Sequence, residues 1–322
     1  MRVTRRSLVS AALAALPASL ALRALPAQAE TFAGTYDPQA EAIGPGIWMV
    51  RGADAPIAFA NGGAIANAAI LDSEAGAILF DPGVSREHGA ALARLAHAVT
   101  GKPVALVYVS HLHPDHAMGA AAFDPAIVHA LPATRHELER DGEGFSDAMY
   151  RLLADWMKGT TLVLPQGDLG EGTTRFGGRS LRLFAMAGHS GGDLAVLDEA
   201  SGTLLAGDLV FHDRAPSTPH ADLAAWRASL DRLEQIPHRQ LLPGHGPIDS
   251  GGSDAAIART RDWLDWLDGA LHEAVAGGLT MSEAGEIAIP ERFAGLAAAR
   301  YELQRSVSHF YPTLEAQLLP RR

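Results

Sequence analysis

The sequence predicts an α+β domain in which two β-sheets pack face to face and helices cover their outer sides. Three observations support this prediction. Strand-like segments fall into two groups, helical segments accompany each group, and no low-complexity segment or long linker separates them. Because each sheet must bury its apolar face, two such groups favour a layered domain with one shared interior. Two independent domains are the alternative.

The first group of elements lies before residue 110. Turn residues separate three predicted strands, and a helical pattern then leads into a continuous apolar run of the kind found in buried strands. The predicted strands are Gly46–Gly52, Ala64–Leu71, Ala77–Phe80 and Val104–Val109, and the predicted helix is Arg86–Val99.

The second group repeats this pattern after a long helical segment, Ala133–Lys158. The pattern predicts further strands at Thr161–Leu164, Ser180–Met186, Leu194–Leu197, Thr203–Ala206 and Gln240–Leu242. Helices are predicted at Ala221–Gln235, Ser253–Ala276 and Arg292–Leu314. The chain therefore closes with helices after its second set of strands.

Residues 1–29 differ from the rest of the chain and predict a cleavable export signal. They combine basic residues with an Ala/Leu-rich stretch and end in Ala27-Gln28-Ala29, so cleavage is expected before Glu30. The segment Thr4-Arg5-Arg6-Ser7-Leu8 resembles a twin-arginine signal, which predicts a periplasmic protein. The remaining residues, 30–322, are predicted to form a single domain. A general secretory signal and an N-terminal membrane anchor are the alternatives; after cleavage no stable membrane span is expected.

Charge and cysteine content exclude several classes of function. The formal net charge is −11, and the predicted signal contains only basic charges, so its removal leaves a still more acidic chain. An acidic protein is a poor partner for nucleic acid. The sequence has no cysteine, which excludes disulfides and thiolate metal ligands.

The strongest chemical signal is the run His111-Leu112-His113-Pro114-Asp115-His116, directly after an apolar strand. Imidazole nitrogens and carboxylate oxygens bind Zn²⁺ at about 2.0–2.2 Å, so ligands must converge from a tight loop or from several strand ends. His111 and His113 can reach one ion, while Asp115 and His116 are free to face a second. The alternative is a polar helix N-terminus with solvated histidines.

Three further candidate ligands follow other predicted strands. His189, Asp208 and His245 each lie next to glycine, which permits the sharp turns that a crowded metal site needs. Taken alone, a loop histidine or a Gly-Asp turn would be an ordinary surface feature. Together with the histidine-rich run, they predict a site with two metal ions.

The ordered motifs His-x-His-x-Asp-His, Gly-His-Ser-Gly-Gly-Asp, Ala-Gly-Asp and Pro-Gly-His-Gly resemble those of the metallo-β-lactamase superfamily over about Gly46 to Pro247. The resemblance implies a four-layer αββα sandwich, followed here by the C-terminal helices. It also implies two Zn²⁺ ions, although His and Asp ligands suit iron or manganese as well. The implied ligands are His111, His113 and His189 for the first ion, Asp115, His116 and His245 for the second, and Asp208 between them.

More narrowly, several segments resemble the quinoprotein relay system zinc metallohydrolases. They include Val50-Arg51-Gly52-Ala53-Asp54, Phe59-Ala60-Asn61-Gly62-Gly63 and Pro219-His220-Ala221-Asp222, together with the twin-arginine start. This resemblance implies components of a periplasmic quinoprotein system as candidate partners. It does not specify a substrate.

The expected function is hydrolysis of a small ester, thioester or amide by a water that the metals activate. Asp115 and His116 are the expected catalytic residues, and Asp81, His212 and His220 are expected next to the ligands or at the substrate mouth. The alternatives are a metallo-β-lactamase, an iron-dependent sulfur dioxygenase, and a non-catalytic accessory protein of a periplasmic redox relay.

Overall fold

The computed structural model describes residues 34–318. The predicted export signal, residues 1–29, lies outside the described residues. Within residues 34–318, no helix combines the length and the apolar character needed to cross a membrane.

The first sheet has seven strands that lie side by side in chain order. Strands β1 to β4 pair antiparallel, and β4 to β7 pair parallel. The strands are β1 (Ala40–Gly44), β2 (Ile47–Val50), β3 (Ala68–Leu71), β4 (Ala77–Phe80), β5 (Val104–Tyr108), β6 (Val128–Ala130) and β7 (Gly167–Asp168).

The second sheet has six strands, also in chain order. Its pairs are antiparallel except for the parallel pair β11 and β12, which a helix connects. The strands are β8 (Gly172–Phe176), β9 (Arg179–Met186), β10 (Asp193–Asp198), β11 (Thr203–Phe211), β12 (Gln240–His245) and β13 (Asp249–Ser250).

The two sheets pack against each other through a shared apolar core. Ile78 and Phe80 of the first sheet lie in the same buried cluster as Leu183, Val196 and Leu205 of the second. Burying one such side chain contributes about 1.5–3 kcal/mol, so this interface stabilises the stack of sheets. The predicted face-to-face packing is confirmed.

Helices cover the outer face of each sheet. On the first sheet, α1 contributes Leu92 and Ala96 to a cluster with Ile70, Leu79 and Val107. The helices are α1 (Arg86–Thr100), α2 (Pro114–Ala117), α3 (Pro132–Leu153), α4 (Leu223–Glu234), α5 (Ala255–Ala276), α6 (Met281–Ala284) and α7 (Ala299–Leu318).

On the second sheet, α4 and α5 supply the outer layer. Trp226 of α4 and Trp263 of α5 are fully buried in one cluster with Phe184, Leu204 and Ala206 of the strands. Helix α7 packs on α5 through Leu303 and Val307. The predicted αββα order with C-terminal helices is therefore confirmed.

Some local predictions were wrong: the last helix begins at Ala299 and not at Arg292, and β6 and β8 form where no strand was predicted. Residues 161–164 were predicted as a strand, but they are irregular, and Leu162 and Val163 instead pack sideways into the cluster that α3 shares with the first sheet. The last position in the first sheet is occupied instead by the two-residue strand β7, which begins after Pro165. Proline has no N–H to donate to a neighbouring strand. Strand β1 forms before the first predicted strand, where the sequence analysis named no element, because it pairs with β2.

Candidate metal centre

The seven side chains that were predicted as metal ligands lie together, on strands and loops of both sheets and on α2. They form two neighbouring groups, and within each group one potential ligand atom per residue lies within 4.8 Å of the others. Every one of these side chains is buried. The first group is His111, His113, His189 and Asp208, and the second is Asp115, His116 and His245.

In the first group, three imidazole nitrogens surround one point. His113 Nδ1 lies 3.0 Å from His111 Nε2 and 2.8 Å from His189 Nε2. Oδ2 of Asp208 completes the group, at 3.3 Å from His189 Nε2 and 3.8 Å from His111 Nε2. Three nitrogens and one oxygen form a donor set that suits a tetrahedral ion.

The second group has two nitrogens and one carboxylate of its own. Nε2 of His116 and Nε2 of His245 are 3.4 Å apart, and Asp115 Oδ2 lies 3.7 Å and 3.4 Å from them. Asp208 reaches this group too, with Oδ1 at 3.0 Å from His116 Nε2 and Oδ2 at 3.4 Å from His245 Nε2. Its carboxylate therefore stands between the two groups.

The tautomers of His116 and His245 show that a cation fits this arrangement. The carbonyl oxygen of Ile65 can only accept, so His245 must donate Nδ1–H to it at 2.9 Å. His116 Nδ1 is likewise 2.7 Å from the Asp81 carboxylate. In the neutral rings the Nε2 lone pairs then face carboxylate oxygens, which is unfavourable unless a proton or a metal ion lies between them.

The spacing of the donors also fits a metal. Ligands about 2.0–2.1 Å from a tetrahedral Zn²⁺ ion lie roughly 3.3 Å from one another. The distances between His116 Nε2, His245 Nε2 and the carboxylate oxygens, 3.0 to 3.7 Å, cover this value. The residues present are therefore compatible with a dinuclear metal site.

Burial prepares the first group to act as neutral donors. Burial lowers the pKa of His111 and of His113 well below the usual range, and a neighbouring histidine lowers each further. Burial likewise holds the pKa of His189 well below its ordinary value, although Asp208 opposes it. Neutral imidazoles keep the lone pairs that a metal needs.

The carboxylates are held in their ionised form. Burial alone would raise the pKa of Asp115 and of Asp208, but His116 and His245 outweigh burial and hold both pKa values well below the ordinary value. Both side chains therefore offer negative oxygens at neutral pH. In the second group the carboxylates, with Asp208 foremost, outweigh burial and raise the pKa of His116 and of His245, so a divalent cation bound there would take the place of their protons.

The local chain explains how one loop serves both groups. His111 and His113 follow β5, and Pro114 occupies the first position of α2, where its fixed φ suits a helix start. Asp115 and His116 then lie on this first turn. The change from extended chain to helix at Pro114 separates the two histidines of the first group from the two ligands of the second.

His189 is positioned by Asp193, for which the sequence analysis proposed no role. Oδ2 of Asp193 accepts hydrogen bonds from the backbone N–H groups of His189 and Ser190, each at 3.0 Å, and Oδ1 accepts one from Ser190 Oγ at 2.6 Å. Gly188, at φ +136°, lies so close to Trp226 that a Cβ would overlap its backbone. Asp193 is the last residue of the motif Gly-His-Ser-Gly-Gly-Asp, so its place in this motif was the available signal.

Replacing Asp193 with asparagine is expected to loosen His189. An amide oxygen can still accept from the two backbone N–H groups, but the amide nitrogen can only donate, so the 2.6 Å bond from Ser190 Oγ must reverse and the carboxylate charge is lost while the side-chain volume is kept. Changes behind a metal ligand typically cost 10- to 100-fold in metal affinity or activity, and we expect about this loss. Competition for Zn²⁺ with a chromogenic chelator measures it. Asp147→Asn, at a side chain 76% exposed, is the control; equal affinities in the two variants would contradict the assigned role.

Asp208 and His245 lie on neighbouring parallel strands whose register is irregular. The pairing of β11 with β12 shifts on both sides of Gly207, which turns the Asp208 side chain toward the ligand groups. Gly244 lies directly against it, and a Cβ at that position would overlap Asp208 Oδ1. Only glycine therefore permits His245 and Asp208 to approach the same point.

Asn67 fastens the His245 loop to the first sheet and was not identified from the sequence. Its Nδ2 donates to the carbonyl oxygens of Pro243 at 2.9 Å and Gly246 at 2.8 Å, and its backbone N–H donates to Gly244. The contact spans 176 residues of chain. No local pattern could have signalled it.

The other predicted residues have different placements. Asp81 lies behind the ligands, where it accepts from His116 Nδ1 and from the N–H and Oγ of Ser110 at 2.7 to 2.9 Å. His220 Nδ1 lies 3.2 Å from His113 Nε2. His212 instead places Nδ1 2.9 Å from the carbonyl oxygen of Pro247.

A cavity of about 220 Å³ opens beside the two ligand groups. Four ligands, His113, Asp115, Asp208 and His245, share its wall with His220, whereas His212 is not among its lining residues. Ile57, Phe145, Met149 and Leu152 form an apolar side. The centre is therefore accessible to a small molecule with an apolar part.

The similarity to known proteins covers the segments that carry the candidate ligands. A sequence model described as the metallo-beta-lactamase superfamily matches residues 61–245, which include all seven converging side chains and more than half of the chain. The chain belongs to the metallo-β-lactamase superfamily. With its two groups of histidine and aspartate, this membership identifies a hydrolase with a candidate site for two metal ions.

Individual relatives of this superfamily are distant. The acyl-coenzyme A thioesterase MBLAC2 of Bos taurus is 24% identical over 220 residues, which cover 62% of this chain and 72% of the relative, and the Homo sapiens protein of the same name gives the same values. A metallo-β-lactamase from Pontibacter korlensis has a TM-score of 0.58 at 20% identity, over 71% of this chain and 99% of that structure. FIM-1 from Pseudomonas aeruginosa has a TM-score of 0.57 at 20% identity, over 72% and 96%. These structural similarities show the shared fold.

Proposed function

We propose that this chain is an exported dinuclear zinc hydrolase that cleaves a small ester, thioester or amide. The observation that carries the proposal is the convergence of five histidines and two aspartates beside a cavity with an apolar side. The thioesterase relative supports an acyl substrate, and a thioester is the bond we expect to be cleaved fastest. Zinc is proposed because the donors are nitrogen and oxygen in a tetrahedral set.

Two Zn²⁺ ions in these groups would lower the pKa of a water toward neutrality and polarise the acyl oxygen of the substrate. Asp115, which lines the cavity and is held ionised by His116 and His245, can accept a hydrogen bond from the attacking water and receive its proton. Asp81 holds His116 through Nδ1, so that Nε2 faces the second group. His220 holds His113 in the same way from the mouth of the cavity.

The test is to purify the exported protein, measure its metal content, and assay matched esters, thioesters and amides. We expect about two zinc ions per chain and hydrolysis of at least the thioesters. Turnover of nitrocefin alone would indicate a β-lactamase, and bound iron with oxygen uptake on a thiol substrate would indicate a sulfur dioxygenase. Inertness of the metal-loaded protein toward the whole panel would favour an accessory role in a quinoprotein relay.

Export is a separate part of the proposal and rests on residues 1–29. Replacing Arg5 and Arg6 together with lysine is expected to leave the protein in the cytoplasm, because the paired arginines are the address of the twin-arginine route. Cell fractionation measures this, and N-terminal sequencing of the periplasmic form is expected to begin at Glu30. Unchanged export of the double variant would point to the general secretory route.

A further inference from the structure

The cavity beside the ligands has a second polar wall, and the part of it on α7 lies outside the matched family segment. This wall comes from the chain after β11 and from α7, which lies beyond residue 245. It places two guanidinium groups in the same cavity as the candidate metal ligands. The residues of this wall are Arg214, Ser217, Tyr301 and Arg305.

Arg214 is a buried cation with unused hydrogen-bonding capacity. The residue is 3% exposed, and its Nη2 lies 3.1 Å from Oε1 of Glu302, which is fully buried. Its Nε has no hydrogen-bond partner among residues 34–318. A buried donor without a partner is costly, so Arg214, which lines the cavity, has a hydrogen bond left to give.

Arg305 uses the same carboxylate. Its Nη1 lies 3.0 Å from Oε2 of Glu302 and donates to Ser217 Oγ at 2.8 Å, and its side chain is 39% exposed. The described residues place no other carboxylate within 4.0 Å of either guanidinium. Two positive charges thus share one negative charge, which leaves one positive charge in excess on this wall.

The wall is held rigidly in place. The backbone N–H of Ala215 donates to Ala297 at 3.0 Å, that of Ala297 donates to Asp213 at 2.9 Å, and Thr218 Oγ1 donates to Ser306 Oγ at 2.7 Å. These hydrogen bonds attach segment 213–218 to the chain just before α7 and to Ser306 within α7. A fixed pair of guanidinium groups loses little conformational freedom when it binds a ligand.

We propose that Arg214 and Arg305 form a binding site for an anionic oxygen group, so that the hydrolysed substrate is an ester or thioester that also carries a carboxylate or a phosphate. This inference rests on the proposed hydrolase function. The planar fork of arginine matches both anions with two parallel hydrogen bonds. The apolar side of the cavity then receives the uncharged part of the substrate.

The test uses thioester pairs that differ only in the charged group. Two pairs place the anion on the thiol side: butanoyl thioesters of mercaptopropionate and mercaptopropionamide test a carboxylate, and those of phosphopantetheine and pantetheine test a phosphate. The third pair, glutaryl and pentanoyl thioesters of N-acetylcysteamine, tests a carboxylate on the acyl side. For at least one pair we expect kcat/KM to favour the anionic member by about 10- to 100-fold, mainly through KM, as expected for a hydrogen bond to a charged group.

Arg305→Gln is expected to remove this preference, and Arg305→Lys to keep part of it. Arg300→Gln is the matched control, because Arg300 lies on the same helix but donates to the Gly285 carbonyl oxygen at 2.8 Å. Equal rates within every pair, or a preference that survives Arg305→Gln, would overturn the inference.

Binding distinguishes this inference from the proposed function. Calorimetry with monomethyl glutarate and dimethyl glutarate measures the anion site without any turnover. If no thioester is hydrolysed but the monoanion binds and Arg305→Gln abolishes its binding, the anion site stands and the hydrolase proposal fails. Binding of the monoanion that is insensitive to Arg305 would refute the anion site.

Discussion

The Asp208→Ala variant is expected to lose at least about 10³-fold in kcat/KM and to retain at most one tightly bound metal ion. Among residues 34–318, Asp208 is the one carboxylate that approaches both groups, at 3.0 Å from His116 Nε2 and 3.3 Å from His189 Nε2. Its loss removes the single negative charge that lies between the two groups, so the groups no longer share a ligand. The metal contribution to such reactions is several kcal/mol, and each ~1.4 kcal/mol is tenfold in rate.

Metal analysis and thioester kinetics on the same preparation measure this effect. Asp147→Ala is the control, because its side chain is 76% exposed on α3 and pairs with the solvent-exposed Arg151 at 3.9 Å. It is expected to keep both metal ions and the full rate. An Asp208→Ala variant with two metal ions and unchanged kcat/KM would show that the two groups do not act together.

Removing the metals with a chelator is expected to abolish hydrolysis and to lower the melting temperature by on the order of 10 °C. Ligand binding at a free concentration about 1,000 times Kd stabilises a protein by roughly 4 kcal/mol. For a chain of this size, each kcal/mol shifts Tm by about 2–4 °C.

Restoration identifies the metal. Adding Zn²⁺ is expected to restore both Tm and activity, with Fe²⁺ and Mn²⁺ as competing candidates for the histidine-rich groups. Mg²⁺ prefers oxygen ligands and octahedral geometry, so it serves as the negative control. A chelated protein that keeps its Tm and its activity would exclude a functional metal centre.

The sequence predicted those parts of the fold and those candidate ligands whose positions depend on the local pattern of residues. His111, His189 and His245 each follow an apolar strand and stand next to a turn, so their positions at strand ends could be inferred without knowing which strands pair. The boundaries of β4 agree with the prediction because its four apolar residues are buried from both sides of the sheet.

Features that depend on distant contacts could not be predicted in this way. Asn67 acts through loop residues 176 and 179 positions away, and α7 brings Arg305 beside ligands that lie far back in the chain. Residues 161–164 have the composition of a strand, yet packing against α3 determines their conformation. In each case the deciding partner is chosen by the tertiary fold.

The first ligand group draws His111 and His113 from the end of β5 in one sheet, and His189 and Asp208 from the other sheet. An ion held there would cross-link the amino-terminal and carboxyl-terminal halves of a chain that has no cysteine for a disulfide. Neither half alone could capture it, since each supplies only two of the four donors. Metal capture would consequently come late in folding, and the captured ion would be a chemical mark of a fully assembled molecule.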